Sequence, residues 1–353
     1  MTINQLVEDS IGLLKKLISI PALSREEDHA ADLIQHFLEQ QQLKVNRRKN
    51  NIWVESTVRS ANKPTILLNS HIDTVRPSDK WTRDPFSATE EDGKLYGLGS
   101  NDAGASLVSL MAAFLYLNAT EQPYNLIFVA SAEEEVSGNS GVASILEELG
   151  PIDLGIVGEP TLMQMAVAEK GLLVLDCEAK GKAGHAARHE GVNAIYEALP
   201  DIEWFRNYQF PKVSDLLGPV QMTVTQVEAG SQHNVVPDSC RFVVDIRVNE
   251  HYSNKEMYEF ISEQVKCQVT PRSFRINSSS IALSHSVVKR GKGLGMEYYG
   301  SPTTSDQAVM PFTTLKIGPG DSARSHTADE YVLISEIEQG VRNYIALLSN
   351  LNL

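Results

Sequence analysis

Apolar residues recur along this chain at two spacings, and each spacing predicts a kind of element. Over residues 4–20, Leu6, Leu13, Leu14, Leu17 and Ile18 fall on one helical face, and Pro21 closes the segment. Ser24-Arg25-Glu26-Glu27 has the form of a capping box, followed by Ala30, Leu33, Ile34, Phe37 and Leu38 on the buried face of a second helix. Short strands are expected at 43–45 and 52–55. Continuous apolar runs at 65–69, 126–130 and 154–157 predict strands buried on both faces. Helical stretches at 105–116 and 142–149 alternate with these runs, which implies an α/β fold: a mostly parallel sheet flanked by helices.

After about Met165 the pattern changes. Gly171-Leu172-Leu173-Val174-Leu175-Asp176-Cys177-Glu178-Ala179 and Phe242-Val243-Val244-Asp245-Ile246-Arg247-Val248 alternate polar with apolar residues, as half-exposed antiparallel strands do. Helical segments are expected near 193–205 and 255–265. Residues 167–277 therefore read as a smaller α+β domain inserted into a larger one made of 1–166 and 278–353. The α/β style resumes with a strand at 314–317 and a last helix at 334–348.

Composition narrows the function classes. A chain of 353 residues with 42% apolar content has enough material for two packed domains. A formal charge of −14 argues against nucleic acid and anionic membranes as partners. The three cysteines form no CxxC and fit buried thiols in a reducing compartment. The N-terminus lacks a secretory pattern and no apolar run approaches a membrane span, so a cytoplasmic protein is expected.

Four apolar runs end in ionisable residues. Ser70-His71-Ile72-Asp73-Thr74-Val75 ends one; alone, it reads either as a metal ligand with an acidic helper or as a polar strand terminus. Asp102, Glu133-Glu134-Glu135 and Glu159 follow similar stretches, and His326 lies in a late loop, Gly318-Pro319-Gly320-Asp321-Ser322-Ala323-Arg324-Ser325-His326-Thr327. The carboxyl ends of parallel strands share one edge, where these groups can converge. Several carboxylates in one place need a cation, and two histidines with them suit zinc or a similar divalent ion. A carboxylate between two such ions would allow a pair.

These pieces resemble the M20 family of metallopeptidases and amidohydrolases. The matching segments are Ser70 to Val75, Tyr96-Gly97-Leu98-Gly99-Ser100-Asn101-Asp102, Ser131-Ala132-Glu133-Glu134-Glu135, Gly158-Glu159-Pro160-Thr161 and Ser325-His326-Thr327, in family order and across essentially the whole chain. The resemblance implies two Zn²⁺ ions, with Co²⁺ as a substitute. His71 and Glu159 would bind one ion, Glu135 and His326 the other, and Asp102 would bridge. It further implies that Asp73 fixes the tautomer of His71 and that Glu134 is the general base, leaving Glu133 without a role. Gly184-His185-Ala186-Ala187 matches the segment whose histidine stabilises the oxyanion, often across a dimer; His189 stands where the family commonly has proline. Asn234, in a segment like the family's Asn-Val-Ile-Pro, and Arg247 would bind a substrate carboxylate. Ser305, in Thr303-Thr304-Ser305-Asp306, would contact substrate near the metals.

The implied activity is hydrolysis of the amide bond of a small N-acyl amino acid by a homodimer joined through the inserted domain. Length and the Gly318–Asp321 run resemble the acetylornithine deacetylase branch, which implies N-acetyl-L-ornithine or N-succinyl-L-ornithine as substrate in arginine biosynthesis. A di- or tripeptidase and a succinyl-diaminopimelate desuccinylase are the enzymatic alternatives. A non-catalytic binding protein on this fold is the alternative of a different class.

Overall fold

The computed structural model describes residues 1–188 and 190–353, and the chain divides into two compact units. The larger comprises Met1–Val167, Ser280–Tyr299 and Ser305–Leu353; the smaller comprises Ala168–Ser279 and Gly300–Thr304. Gly300–Thr304 was not part of the inserted segment expected from the sequence. His189 lies outside the described residues.

The larger unit is built on a mixed sheet in the order Val45–Arg48, Asn51–Glu55, Asn125–Ser131, Thr65–His71, Leu154–Val157, Thr314–Lys316. The last four of these strands are parallel, and the pair Val45–Arg48 and Asn51–Glu55 joins them antiparallel. Every residue of Thr65–His71 and Asn125–Ser131 is buried, as the lack of polar alternation requires. The pleat sends Leu67, Ile127, Val129 and Val157 to one face, where Val142, Ile145, Leu149 and Met310 cover them. Phe128 meets Phe114 of the helix Ala105–Asn118, ring centroids 6.2 Å apart. That helix packs against Ile3–Ile18 and Ile334–Leu348 as well as the sheet, which is why 12 of its 14 residues are buried.

In the smaller unit, an antiparallel sheet runs Gln221–Ala229, Ser239–Val248, Gly171–Lys180, Gln268–Pro271. Leu173, Leu175, Cys177, Phe242, Val244 and Ile246 point to one face and pack with residues of the helices Ala194–Asn207 and Asn254–Gln264, among them Phe205 and Ile261. All three cysteines are free and buried. Among the described residues no helix is long and apolar enough to cross a membrane.

Two sequence expectations need correction. Residues 142–149 do not form one helix, because a 3₁₀ turn at Val142–Ser144 precedes a single α-helical turn at Leu146–Leu149. Ser24 does not cap the second helix, which begins at Asp28 with Glu27 as its N-cap residue. The Ser24 hydroxyl is drawn instead to the carboxylate of Asp73, at 2.7 Å.

Candidate metal centre

The four parallel strands all run toward the same edge. Three of their continuations carry His71 and Asp73, Glu133–Glu135 and Glu159, whereas Asp102 lies in the Ser100–Gly104 turn after Lys94–Tyr96, a strand of a separate sheet. His71 is the last residue of its strand, with a side chain only 1% exposed. Its Nδ1 lies 2.9 Å from the main-chain carbonyl of Asp73. A carbonyl oxygen only accepts, so Nδ1 carries a proton and Nε2 is the atom turned to the carboxylates. Nε2 lies 3.2 Å from Asp102 Oδ1 and 3.9 Å from Glu159 Oε1.

Asp102 has a second neighbour: His326 Nε2 is 3.6 Å from its Oδ2 and 2.9 Å from Glu135 Oε2. One carboxylate thus stands between two imidazoles, one oxygen toward each. Ligand atoms of His71, Glu134 and Glu159 lie within 4.8 Å of one another, and so do those of His71, Asp102 and Glu135. The cluster is closed at His71 and opens at His326, whose side chain is 56% exposed.

Asp73 sits differently from the sequence expectation. Its carboxylate is 3.5 Å from His71 Nδ1, while the shorter contact to that nitrogen comes from its own main-chain oxygen. The carboxylate accepts the Glu134 N–H at Oδ1 (3.0 Å) and the Glu135 N–H at Oδ2 (3.2 Å). Asp73 therefore fixes the turn that presents both glutamates. Glu133, with φ at 55°, leaves the cluster; its carboxylate accepts the Ser140 N–H, and its own N–H donates to buried Glu27.

Burial and crowding set the proton affinities. Burial raises Glu134 well above an ordinary carboxylate, and the charges of Glu159, Asp306 and Glu135 add to it against the pull of His71. Glu159 is pushed up to about 8, by burial first and then by Asp102 and Glu135. Burial opposes a charged His71, but hydrogen bonds to Asp102 and Asp73 and the nearby glutamates raise it well above its ordinary value. His326 rises to about 9 through its hydrogen bond to Glu135. Burial works against the charged forms of Asp73 and Asp102 too, yet bonding to His71 leaves both lowered. Protons thus neutralise a cluster of four carboxylates and two imidazoles. Two divalent cations would serve the same purpose, and mixed nitrogen and oxygen donors suit them.

Ser305, His185, Asn234 and Arg247 were the other expected site residues. Ser305 is buried, and its hydroxyl accepts the Gln307 N–H at the start of a 3₁₀ turn. Its neighbour Asp306 occupies the buried position, accepting from Asn69 Nδ2 (2.8 Å) and the Ser131 hydroxyl (2.7 Å). In the smaller unit, His185 pairs with Val235, and Ala186 N–H donates to the carbonyl of exposed Asn234. His185 Nδ1 accepts the Ala187 N–H at 3.2 Å. The Nε–Nη2 edge of Arg247 is taken by Asp245, at 2.8 and 3.1 Å. Sequence reasoning gave no place in the site to Glu27, Asn69, Asp306 or Glu330, all buried acids or amides; the Thr303–Asp306 segment held the signal for Asp306, but only Ser305 was drawn from it.

A parallel α/β sheet with a carboxylate- and histidine-lined centre at its carboxyl edge defines a class of metal-dependent hydrolases. The chain belongs to peptidase family M20/M25/M40, whose model matches residues 67–350. It is 28% identical over 357 residues to a peptidase M20 domain-containing protein of Schizosaccharomyces pombe, covering 96% of this chain and 83% of that one. It is 28% identical over 291 residues to an acetylornithine deacetylase of Pectobacterium carotovorum, covering 76% of each. Its fold matches the crystal structure of an M20 family metallo-carboxypeptidase from Sulfolobus solfataricus with a TM-score of 0.74 at 17% identity, over 98% and 99% of the two chains.

Proposed function

We propose that this protein hydrolyses the amide bond of an N-acyl amino acid, with N-acetyl-L-ornithine or N-succinyl-L-ornithine as the favoured substrate. The observation that carries the reading is Asp102, whose two oxygens face His71 and His326 separately. His71 and Glu159 would hold one ion and Glu135 and His326 the other, with Asp102 shared. Zinc suits this donor set, and cobalt shares its preferences. When bound, the two ions polarise the amide carbonyl and make the attacking water more acidic.

The remaining chemistry belongs to the chain. Glu134, anchored through its N–H to Asp73, takes the proton of the attacking water and returns it to the departing amine. His185 accepts at Nδ1, so its proton sits on Nε2, and it would serve as the donor to the oxyanion. Asn234 and Arg247 would bind the substrate carboxylate; Arg247 would do so while paired with Asp245.

The smaller unit carries exposed apolar side chains at Val192, Tyr196, Leu199, Val227 and Val235, which supports a homodimer formed through it. A cytoplasmic setting agrees with three unpaired cysteines. Relatives named acetylornithine deacetylase and succinyl-diaminopimelate desuccinylase both match this chain, so the preference for an N-acylornithine rests on the chain's length and its Gly318–Asp321 run. The test is a panel of N-acetyl and N-succinyl ornithine, citrulline, lysine and diaminopimelate against simple dipeptides, compared by kcat/KM. Preference for N-acylornithines supports the reading, and preference for free dipeptides overturns it.

A further inference from the structure

Glu330 is a carboxylate with no place in the chemistry above, yet it is only 2% exposed. Its Oε1 accepts the N–H groups of Asn101 (2.8 Å) and Asp102 (2.9 Å), and its Oε2 accepts that of Gly99 (3.2 Å). Its main-chain oxygen accepts the Gly97 N–H at 3.0 Å, continuing the pairing of Tyr331 with Tyr96. Gly99, with φ at 74°, supplies the left-handed turn that lets its own amide and those of residues 101 and 102 converge on one acid. Among the described residues Glu330 forms no ion pair. A carboxyl group buried without a cationic partner is costly, and both of its oxygens are needed to accept from these three amides.

We propose that Glu330 is a positioning residue of the metal centre: it fixes the Gly99–Asp102 turn so that Asp102 presents one oxygen to each ion. The proposal rests on the dinuclear reading. Asn101 extends the clamp to the other side, since its amide accepts the Asp321 N–H (2.9 Å) and donates to the Asp321 carbonyl (3.0 Å) in the loop leading to His326. The bridging acid and the exposed histidine are thereby held to one frame. Glu330 itself is not a ligand, because its oxygens are occupied by main-chain donors.

The test uses the full-length protein stripped of metal and reloaded with Mn²⁺. In the wild type, calorimetry should count two ions, and electron paramagnetic resonance should show an exchange-coupled pair. Glu330→Gln keeps the shape but turns an NH₂ group toward a main-chain N–H. It should bind Mn²⁺ at least about tenfold more weakly and lose or alter the coupled signal at saturating metal. Glu330→Asp retains two acceptor oxygens and should recover part of both, which keeps the proposal testable if the glutamine variant does not fold. Wild-type affinity and an unchanged coupled spectrum in Glu330→Gln would overturn the positioning role. A wild type that binds fewer than two Mn²⁺ ions, with no coupled signal, would overturn the dinuclear reading itself, and the proposal with it.

Discussion

Glu134 is buried among like charges, and its affinity for a proton is raised well above that of an ordinary carboxylate. A base in that position holds a proton more readily than an ordinary carboxylate, and Gln has none to exchange. Glu134→Gln should lower kcat by about 10²–10⁴-fold while two ions remain bound, as measured by metal analysis of the purified variant. If metal is lost instead, Glu134 is a ligand and the assignment within the acidic run shifts. Asp73→Asn should act through the turn it anchors, since an amide cannot accept at both oxygens from Glu134 N–H, Glu135 N–H and Ser24. We expect metal affinity to fall about 10–100-fold, measured by competition with a chromogenic chelator. Unchanged affinity would assign Asp73 no part in holding the site. At this scale His71, Asp102, Glu134, Glu135, Glu159 and His326 were legible as a group, because each follows an apolar run or lies in a recognisable loop. Most of their supports were not. Glu27 and Glu330 act through main-chain amides or short polar side chains, contacts that depend on tertiary placement and leave no periodic trace.

Among elements, the turn from Gly97 to Gly104 has little freedom. A methyl group on Gly99 would meet the Thr74 methyl at 2.6 Å, at a φ that side chains rarely adopt. Gly99→Ala should destabilise the protein by about 1–3 kcal/mol in chemical denaturation and weaken metal binding, because Asp102 rides on the same turn. A variant with wild-type stability and affinity would show that the turn can move without disturbing Asp102. The parallel strands could be read from sequence because burial on both faces leaves continuous apolar runs. The strand Gln221–Ala229 could not, since it is a largely exposed sheet edge rich in Gln and Thr with a register shift between Val224 and Gln226. The apparent capping box at Ser24 misled for a physical reason: its hydroxyl had a stronger acceptor available in Asp73.

For the molecule as a whole, metal and proton compete for one cluster. In the metal-free protein Glu159 and Glu330 are each raised from 4.5 to about 8, and His326 from 6.5 to about 9. A raised value means that the folded state binds protons more tightly than the unfolded chain. The associated stability is present below the ordinary values and is lost as pH rises through 8 to 9. The metal-free protein should therefore melt at progressively lower temperature from pH 6 to 9, and the gain in Tm on adding Zn²⁺ should widen over the same interval. A constant gain, followed by fluorimetry with and without chelator, would contradict this. The division of the chain into α/β and α+β parts was visible in the change of periodicity near Met165. The return of Gly300–Thr304 to the smaller unit was not, because five residues are too few to show a period.

The central claim is that a metal pair held by His71, Asp102, Glu135, Glu159 and His326 drives amide hydrolysis. Its most direct test is release of ornithine from N-acetyl-L-ornithine and N-succinyl-L-ornithine by metal-free protein titrated with Zn²⁺ or Co²⁺. No release is expected without metal, with activity that rises as two ions bind per chain and that is about 10²–10⁴-fold lower in fully loaded Glu134→Gln. Fully loaded wild-type protein that leaves both amides intact, or that cleaves them equally well after complete chelation, would contradict it.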